Sequence, residues 1–185
     1  YFNMRVGLIH GMMDKDDKNK ILNDFLKKNK NKKFLIFGFT VDIFNYLINK
    51  INKKKLKSDF SKAILLHGGG WKKLENLKIS NSKFKFKLTQ KLNLNSIVNY
   101  YGLIEQVGSI FLECKCGYFN TTEYSDILIR DRNFNILGSG SKGFLQIFST
   151  LPTSYPGHNI LTEDIGEIIM DKNCNCNPNK KKFLV

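Results

Sequence analysis

Over the first two thirds of the chain, short apolar runs alternate with longer amphipathic ones. The longest apolar run extends from Phe34 to Val41 and reads as a buried strand, with Thr40 placed to cap the helix after it. In that helix Val41, Phe44, Leu47 and Ile48 recur at helical spacing and define one face. Ala63-Ile64-Leu65-Leu66-His67 predicts a second strand, running into three glycines. Residues 83–92 suit a helix, although Phe84 and Phe86 among lysines also suit an edge strand. Ser96 to Tyr101 predicts a third strand. Strands alternating with helical segments imply parallel βα units, whose ligands bind at the carboxyl ends of the strands. Gly68-Gly69-Gly70 and Tyr101-Gly102 both fall at such ends. From about residue 109 the texture changes to short alternating strands: Asp126 to Arg130, a turn from Asn133 to Gly138, Gly143 to Phe148, and a last strand Gly166 to Met170. The expected fold is therefore α/β, a parallel βα sheet over residues 1–108 followed by a smaller antiparallel section over residues 109–185.

Composition changes this picture little. A hydrophobic content of 42% over 185 residues supports a packed core and argues against wholesale disorder. No apolar run approaches the roughly 20 residues that cross a bilayer, and Tyr1-Phe2-Asn3-Met4-Arg5 lacks the plan of a secretory signal, so residence in the cytosol is expected. The absence of Met at position 1 reads as a piece cut from a longer chain. A net charge of +14 invites a nucleic-acid reading. Lysine is interleaved with asparagine, however, as in residues 27–33 and 49–57, which is the pattern of a solvated face. Arginine, the residue suited to bidentate phosphate and base contacts, occurs only at Arg5, Arg130 and Arg132. No specific nucleic-acid partner is expected, because such charge supplies nonspecific attraction only.

Three segments carry candidate chemistry. In Leu65-Leu66-His67-Gly68-Gly69-Gly70-Trp71 the missing Cβ atoms would let a flat ligand lie against the backbone, or the glycines simply make a turn. In Tyr100-Tyr101-Gly102-Leu103-Ile104-Glu105-Gln106 an aromatic at a strand end offers a stacking surface and Gly102 permits a sharp turn. The carboxylate of Glu105 can reach a Mg²⁺, which takes one or two protein carboxylates beside phosphate oxygens; the plainer reading is a strand–turn with an exposed Glu. In Thr162-Glu163-Asp164-Ile165-Gly166-Glu167 an acidic residue stands immediately before a strand, able to accept from both ribose hydroxyls or to satisfy its own turn. His10 reads as a loop or core histidine rather than a base, Trp71 as a packing residue that opens a helix, and His67 as either core or ligand neighbour. No nucleophile elbow is present, which disfavours a hydrolase.

In this order and spacing the segments resemble the acyl-protein synthetase family of bacterial bioluminescence operons, a branch of the adenylate-forming ligases. The likeness runs through His67-Gly68-Gly69-Gly70-Trp71-Lys72-Lys73-Leu74, Tyr101 to Phe111, and Leu151-Pro152-Thr153-Ser154-Tyr155-Pro156-Gly157-His158 to Glu167, covering most of residues 34–185. The resemblance implies the fold of the large domain of those ligases. It implies that Gly68, Gly69 and Gly70 lie along the adenine of ATP, that Tyr101, followed by Gly102, stacks on it, that Glu105 holds Mg²⁺ at the phosphates, and that Asp164 binds the ribose. The implied reaction activates a carboxylic acid, a long-chain fatty acid foremost, as acyl-AMP. The acyl group then passes to a protein thiol or, in relatives, to coenzyme A. Three departures stand out: the phosphate-gripping loop expected upstream is absent, the chain stops at Val185 before the hinge and small C-terminal domain, and Ile104 replaces a Thr frequent in the wider superfamily. The expectation is thus of an incomplete ligase, with a non-catalytic interaction domain as the alternative.

Four cysteines form two pairs, Cys114-Lys115-Cys116 and Cys174-Asn175-Cys176. With no secretory signal, disulfides are not the first expectation. The pairs could together make a tetrahedral Cys₄ zinc site joining the β-rich part to the tail, or remain four ordinary thiols. Their spacing is one residue tighter than the usual two or more.

Overall fold

A computed structural model describes residues 15–29, 32–50, 60–70, 79–153 and 156–185. His10, Trp71 and most of the Lys/Asn stretch 49–57 lie outside these residues. The chain divides into two compact units, Tyr1–Ile97 and Val98–Val185. Among the described residues no helix is long and apolar enough to cross a membrane.

The first unit contains helix α1 (Lys15–Lys28), strand β1 (Phe34–Phe39), a short helix α2 (Thr40–Ile43) continuing as a π-helical turn (Phe44–Lys50), strand β2 (Ala63–Gly68) and helix α3 (Asn81–Leu92). β1 and β2 pair in parallel from Phe34↔Ala63 to Phe39↔Gly68, as the βα alternation predicts. Leu22, Leu26, Ile43, Phe44, Leu47, Phe60, Leu65, Phe84, Leu88 and Leu94 form its core. The ambiguity over residues 83–92 resolves in favour of a helix. Ser80 caps it by accepting from the Lys83 N–H at 3.3 Å, and Asn93 closes it in the left-handed region at φ 57°. Phe84, Leu88 and Leu92, spaced by four, are the buried face, which leaves Phe86 outside.

Two expectations need correction here. The run from Phe34 predicts a buried strand; the strand ends at Phe39, ahead of Thr40 as expected, but it only half-buries alternate residues, with Leu35, Phe37 and Phe39 more than half exposed. Thr40 does not cap the following helix. Phe39 occupies the cap position without a side-chain bond, and Thr40 is already helical. Its hydroxyl is taken instead by the tip of β2, donating to the Gly68 carbonyl at 3.1 Å and lying 3.0 Å from His67 Nδ1. A hydroxyl has one proton, so with that proton on Gly68 the imidazole Nδ1 is the donor.

The second unit is antiparallel. β3 (Ser96–Gly102) pairs with β4 (Ile110–Leu112), with Tyr101 opposite Phe111 and Gly102 opposite Ile110. A six-stranded sheet follows in the order β5 (Phe119–Asn120), β10 (Lys182–Leu184), β9 (Asn159–Ile169), β8 (Lys142–Ser149), β6 (Ser125–Arg130) and β7 (Ile136–Leu137). Its apolar side supplies Ile127, Ile129, Leu145, Ile147 and Phe183, which pack with Phe111 and Phe119. The last strand was expected at Gly166 to Met170. β9 starts seven residues earlier, at Asn159, and a further strand, β10, comes after it. Three-residue β10 carries one buried apolar residue, Phe183, too short a pattern to declare itself by alternation.

Candidate functional site

The glycine turn of the first unit begins where β2 ends. Gly68 is the last strand residue, Gly69 has φ +75°, and a Cβ there would stand 3.1 Å from Phe39 Cδ1, so both conformation and space call for glycine. Among the described residues, Gly70 has no atom within 4 Å of where its Cβ would be. His67 belongs to the core: it is 2% exposed, and its ring centroid lies 4.7 Å from that of Phe84. Its Nε2 is buried without a hydrogen-bond partner among the described residues.

Burial, and then the positive charge of Lys85, push the His67 pKa down to about 4 from an ordinary 6.5. The unfolded chain therefore binds a proton that the folded chain refuses between these two values. This stability is complete above pH 6.5 and is lost as pH falls toward about 4, amounting to about 3 kcal/mol. Urea unfolding at a series of pH values should show that slope, and His67→Phe should flatten it.

In the second unit, Tyr101 is the penultimate residue of β3. Its ring packs into the aromatic cluster, with centroids 6.2 Å from Phe111, 6.0 Å from Phe119 and 6.2 Å from Phe183. Its hydroxyl donates to Asp164 Oδ2 at 2.7 Å, bringing together two predicted site residues 63 positions apart. Burial first, then this bond and the charge of Asp164, raise the phenol far above its usual range, and the negative charge of Glu105 adds to the same effect. The phenol therefore remains a neutral donor, and Glu105 lies within electrostatic reach of the pair. Gly102 follows Tyr101; a Cβ there would come within 3.0 Å of the Ser109 carbonyl, so the glycine allows β3 and β4 to meet at the turn.

Glu105 is exposed on a 3-10 turn, Ile104–Gln106. Its neighbour Gln106, not singled out from the sequence, anchors that turn. Gln106 is 1% exposed and its Nε2 donates to the Gly157 carbonyl at 2.8 Å. No signal in the sequence marks it, because only the fold shows that this amide is buried and that its Nε2 is hydrogen-bonded.

Asp164 does not precede a strand; it lies inside β9. β8 and β9 change register there, Phe144 pairing with Ile165 but Gln146 with Leu161, so that residues 162–164 face Leu145 alone. This is a β-bulge, which re-aims a side chain without ending the strand. Thr162 takes over the interrupted ladder, its hydroxyl donating to the Leu145 carbonyl at 2.8 Å and accepting from the Asp164 N–H at 3.2 Å. The polar triple Thr162-Glu163-Asp164 resembled a turn because a bulge suspends alternation. Asp164 is exposed, and its Oδ1 makes no hydrogen bond among the described residues.

The four cysteines also converge. Cys114 and Cys116 lie in the loop between β4 and β5, Cys174 and Cys176 in the loop between β9 and β10, and all four sulfurs lie within 4.8 Å of one another.

A family profile described as acyl-protein synthetase, LuxE, matches residues 13–185. No curated protein matches the sequence. Similar solved structures include the luciferase-like enzyme from the nonluminescent mealworm Zophobas morio, 17% identical with a TM-score of 0.58, covering 90% of this chain and 41% of that one. ATP-bound MatB from Rhodopseudomonas palustris is 10% identical with a TM-score of 0.55, covering 90% and 32%. The anthranilate CoA ligase AuaEII in complex with anthranoyl-AMP is 10% identical with a TM-score of 0.58, covering 87% and 31%. At these identities the likeness carries the fold alone, which this chain shares with these enzymes. The chain spans less than half the length of each of these proteins.

Proposed function

The chain belongs to the LuxE acyl-protein synthetase family, and on that premise we propose that it binds ATP and serves the activation of a carboxylic acid, foremost a long-chain fatty acid, as its acyl adenylate. The observation that carries this reading is the Tyr101–Asp164 pair. A bulge in β9 presents an exposed carboxylate, one oxygen held by a phenol at 2.7 Å and the other without a hydrogen bond among the described residues. A carboxylate so fixed can accept from both hydroxyls of a ribose, and charge-assisted bonds of this kind are the stronger ones. Tyr101 then does two things: its hydroxyl orients Asp164, and its ring, braced by the aromatic cluster, offers a face to the adenine. For the glycine turn at Gly68, Gly69 and Gly70, the space beside Gly70 among the described residues suits a flat ligand such as a nucleotide base.

Glu105 is the residue to hold Mg²⁺. A single exposed carboxylate on a turn braced by Gln106 fits an ion that keeps most of its waters and takes few protein ligands. When bound, that ion neutralises the charge of the phosphates. In the proposed reaction a substrate carboxylate oxygen bonds to the α-phosphorus of ATP as the bond to the bridging oxygen breaks and pyrophosphate leaves. A thiolate of a protein, or of coenzyme A, then attacks the acyl carbon and AMP departs. The contribution of these residues is positioning and charge neutralisation.

The test is equilibrium binding of ATP·Mg²⁺ and of an acyl-sulfamoyl adenosine, which mimics the adenylate without a pyrophosphate. Glu105→Gln should weaken ATP·Mg²⁺ roughly tenfold, as expected for a lost charge-assisted contact, and leave the sulfamoyl compound within about twofold. A well-folded chain that ignores both ligands would sink the proposal and favour a non-catalytic interaction domain.

A further inference from the structure

Apart from the nucleotide site, and independently of it, the two cysteine loops of the second unit call for an explanation. Cys114 Sγ lies 3.9 Å from Cys174 Sγ, and Cys116 Sγ lies 4.0 Å from Cys176 Sγ. With the whole set inside 4.8 Å, the four sulfurs form a compact cluster. Four thiolates at the Zn–S bond length of about 2.3 Å define a tetrahedron with edges of about 3.8 Å. The two cross-loop separations match that edge, whereas a disulfide would bring sulfurs to about 2.05 Å.

The loops are built to hold this arrangement. The Cys114 N–H donates to the Tyr118 carbonyl at 2.8 Å and the Gly117 N–H donates to the Cys114 carbonyl at 2.9 Å, closing a tight turn with Gly117 at φ +87°. In the other loop the Cys174 N–H donates to the Asp171 carbonyl at 3.3 Å, and Asn177 adopts φ 49°. Tyr118 Oη donates to Asp171 Oδ2 at 3.0 Å and ties the loops together. Turns of this kind turn two side chains separated by a single residue toward one point, which accounts for the tight Cys-x-Cys spacing.

We propose that Cys114, Cys116, Cys174 and Cys176 bind one Zn²⁺ in a closed tetrahedral S₄ site that clasps the β4–β5 loop to the β9–β10 loop. Four thiolates leave no position for water or substrate, so the site is structural and not catalytic. Soft thiolate donors in this geometry select zinc or iron among the common metals. The clasp joins residues 60 positions apart next to the strands that carry Phe119 and Phe183. It thus restrains a long loop, the case in which a cross-link removes most freedom from the unfolded chain.

The experiment is elemental analysis of the protein purified without chelator, with titration of its thiols by an organomercurial. About one zinc per chain is expected, released in step with the modification of four thiols. Cobalt substitution should give the intense visible bands and near-ultraviolet sulfur-to-metal absorption of a tetrahedral thiolate site. Cys116→Ser and Cys176→Ser, at the less buried positions, should each reduce retained zinc at least tenfold through a chelating column while far-ultraviolet circular dichroism stays unchanged. Absence of metal together with no tetrahedral cobalt spectrum overturns the proposal. So does stoichiometric iron in place of zinc, or undiminished zinc in both variants. None of these readouts involves ATP, so failure here leaves the nucleotide reading untouched, and the reverse holds.

Discussion

Asp164→Ala is expected to weaken both ATP·Mg²⁺ and an acyl-sulfamoyl adenosine by roughly 10- to 150-fold, the range for losing hydrogen bonds to a charged acceptor. Both ligands carry the ribose, so both should suffer, in contrast to the metal-dependent loss expected at Glu105. The side chain is exposed and, among the described residues, its side-chain hydrogen bond is the one from Tyr101 at 2.7 Å. Stability should therefore change by no more than about 0.5 kcal/mol, as at ordinary surface positions. Tyr101→Phe provides the intermediate case: it keeps the ring but releases the carboxylate, and a fewfold loss is expected from one hydrogen bond worth about 1 kcal/mol. Isothermal titration calorimetry on the three proteins would decide. Unchanged affinity in Asp164→Ala would remove the ribose assignment.

Phe183→Ala should destabilise the second unit by about 3–5 kcal/mol, the usual cost of emptying a large buried aromatic site. Phe183 is fully buried and its ring meets Phe111 at 5.3 Å, Phe119 at 5.6 Å and Tyr101 at 6.2 Å. The four rings come from four different strands, and Phe183 enters from a strand remote in sequence from the other three, so the cavity cannot be closed by a small local movement. Leu184→Ala, on the same strand but 39% exposed, is the control and should cost less than about 1 kcal/mol. Urea denaturation of the two variants compares them directly. Because Tyr101 rests on this cluster, Phe183→Ala should also weaken nucleotide binding if folding is retained.

Much of the fold was legible because it rests on local pattern. β1 and β2 announce themselves as short apolar runs and β6 and β8 as short strands, whereas α3 also suited an edge strand until the structure decided it. The glycine turn and the segment from Tyr101 to Gln106 were identifiable as strand ends because glycine and the change of texture mark them. Tyr101, Glu105 and Asp164 stood out as candidates because each sits in a segment with a specific order of residue types, and the structure joins two of them, Tyr101 and Asp164. The reading of Asp164 as a turn residue failed because a bulge and a turn both suspend alternation, and only the partner strand tells them apart.

What the amino-acid order determined by itself is the set of local preferences: which stretches are strands or helices, where glycine is obligatory, and which side chains can carry charge to a phosphate or a metal. What only the tertiary structure decided is which of these meet. The bond from Tyr101 to Asp164 spans 63 residues, and the cysteine pairs approach across 60. β10 matters because it inserts between β5 and β9, although three residues are too few for any period to show. Thr40 illustrates the same limit. Its local preference was to cap a helix, but it lies inside the helix, and its hydroxyl instead donates to the Gly68 carbonyl and meets His67 Nδ1 at the tip of β2. Pairing between distant strands depends on register and burial summed over the whole sheet, and that sum is not contained in any window of the sequence.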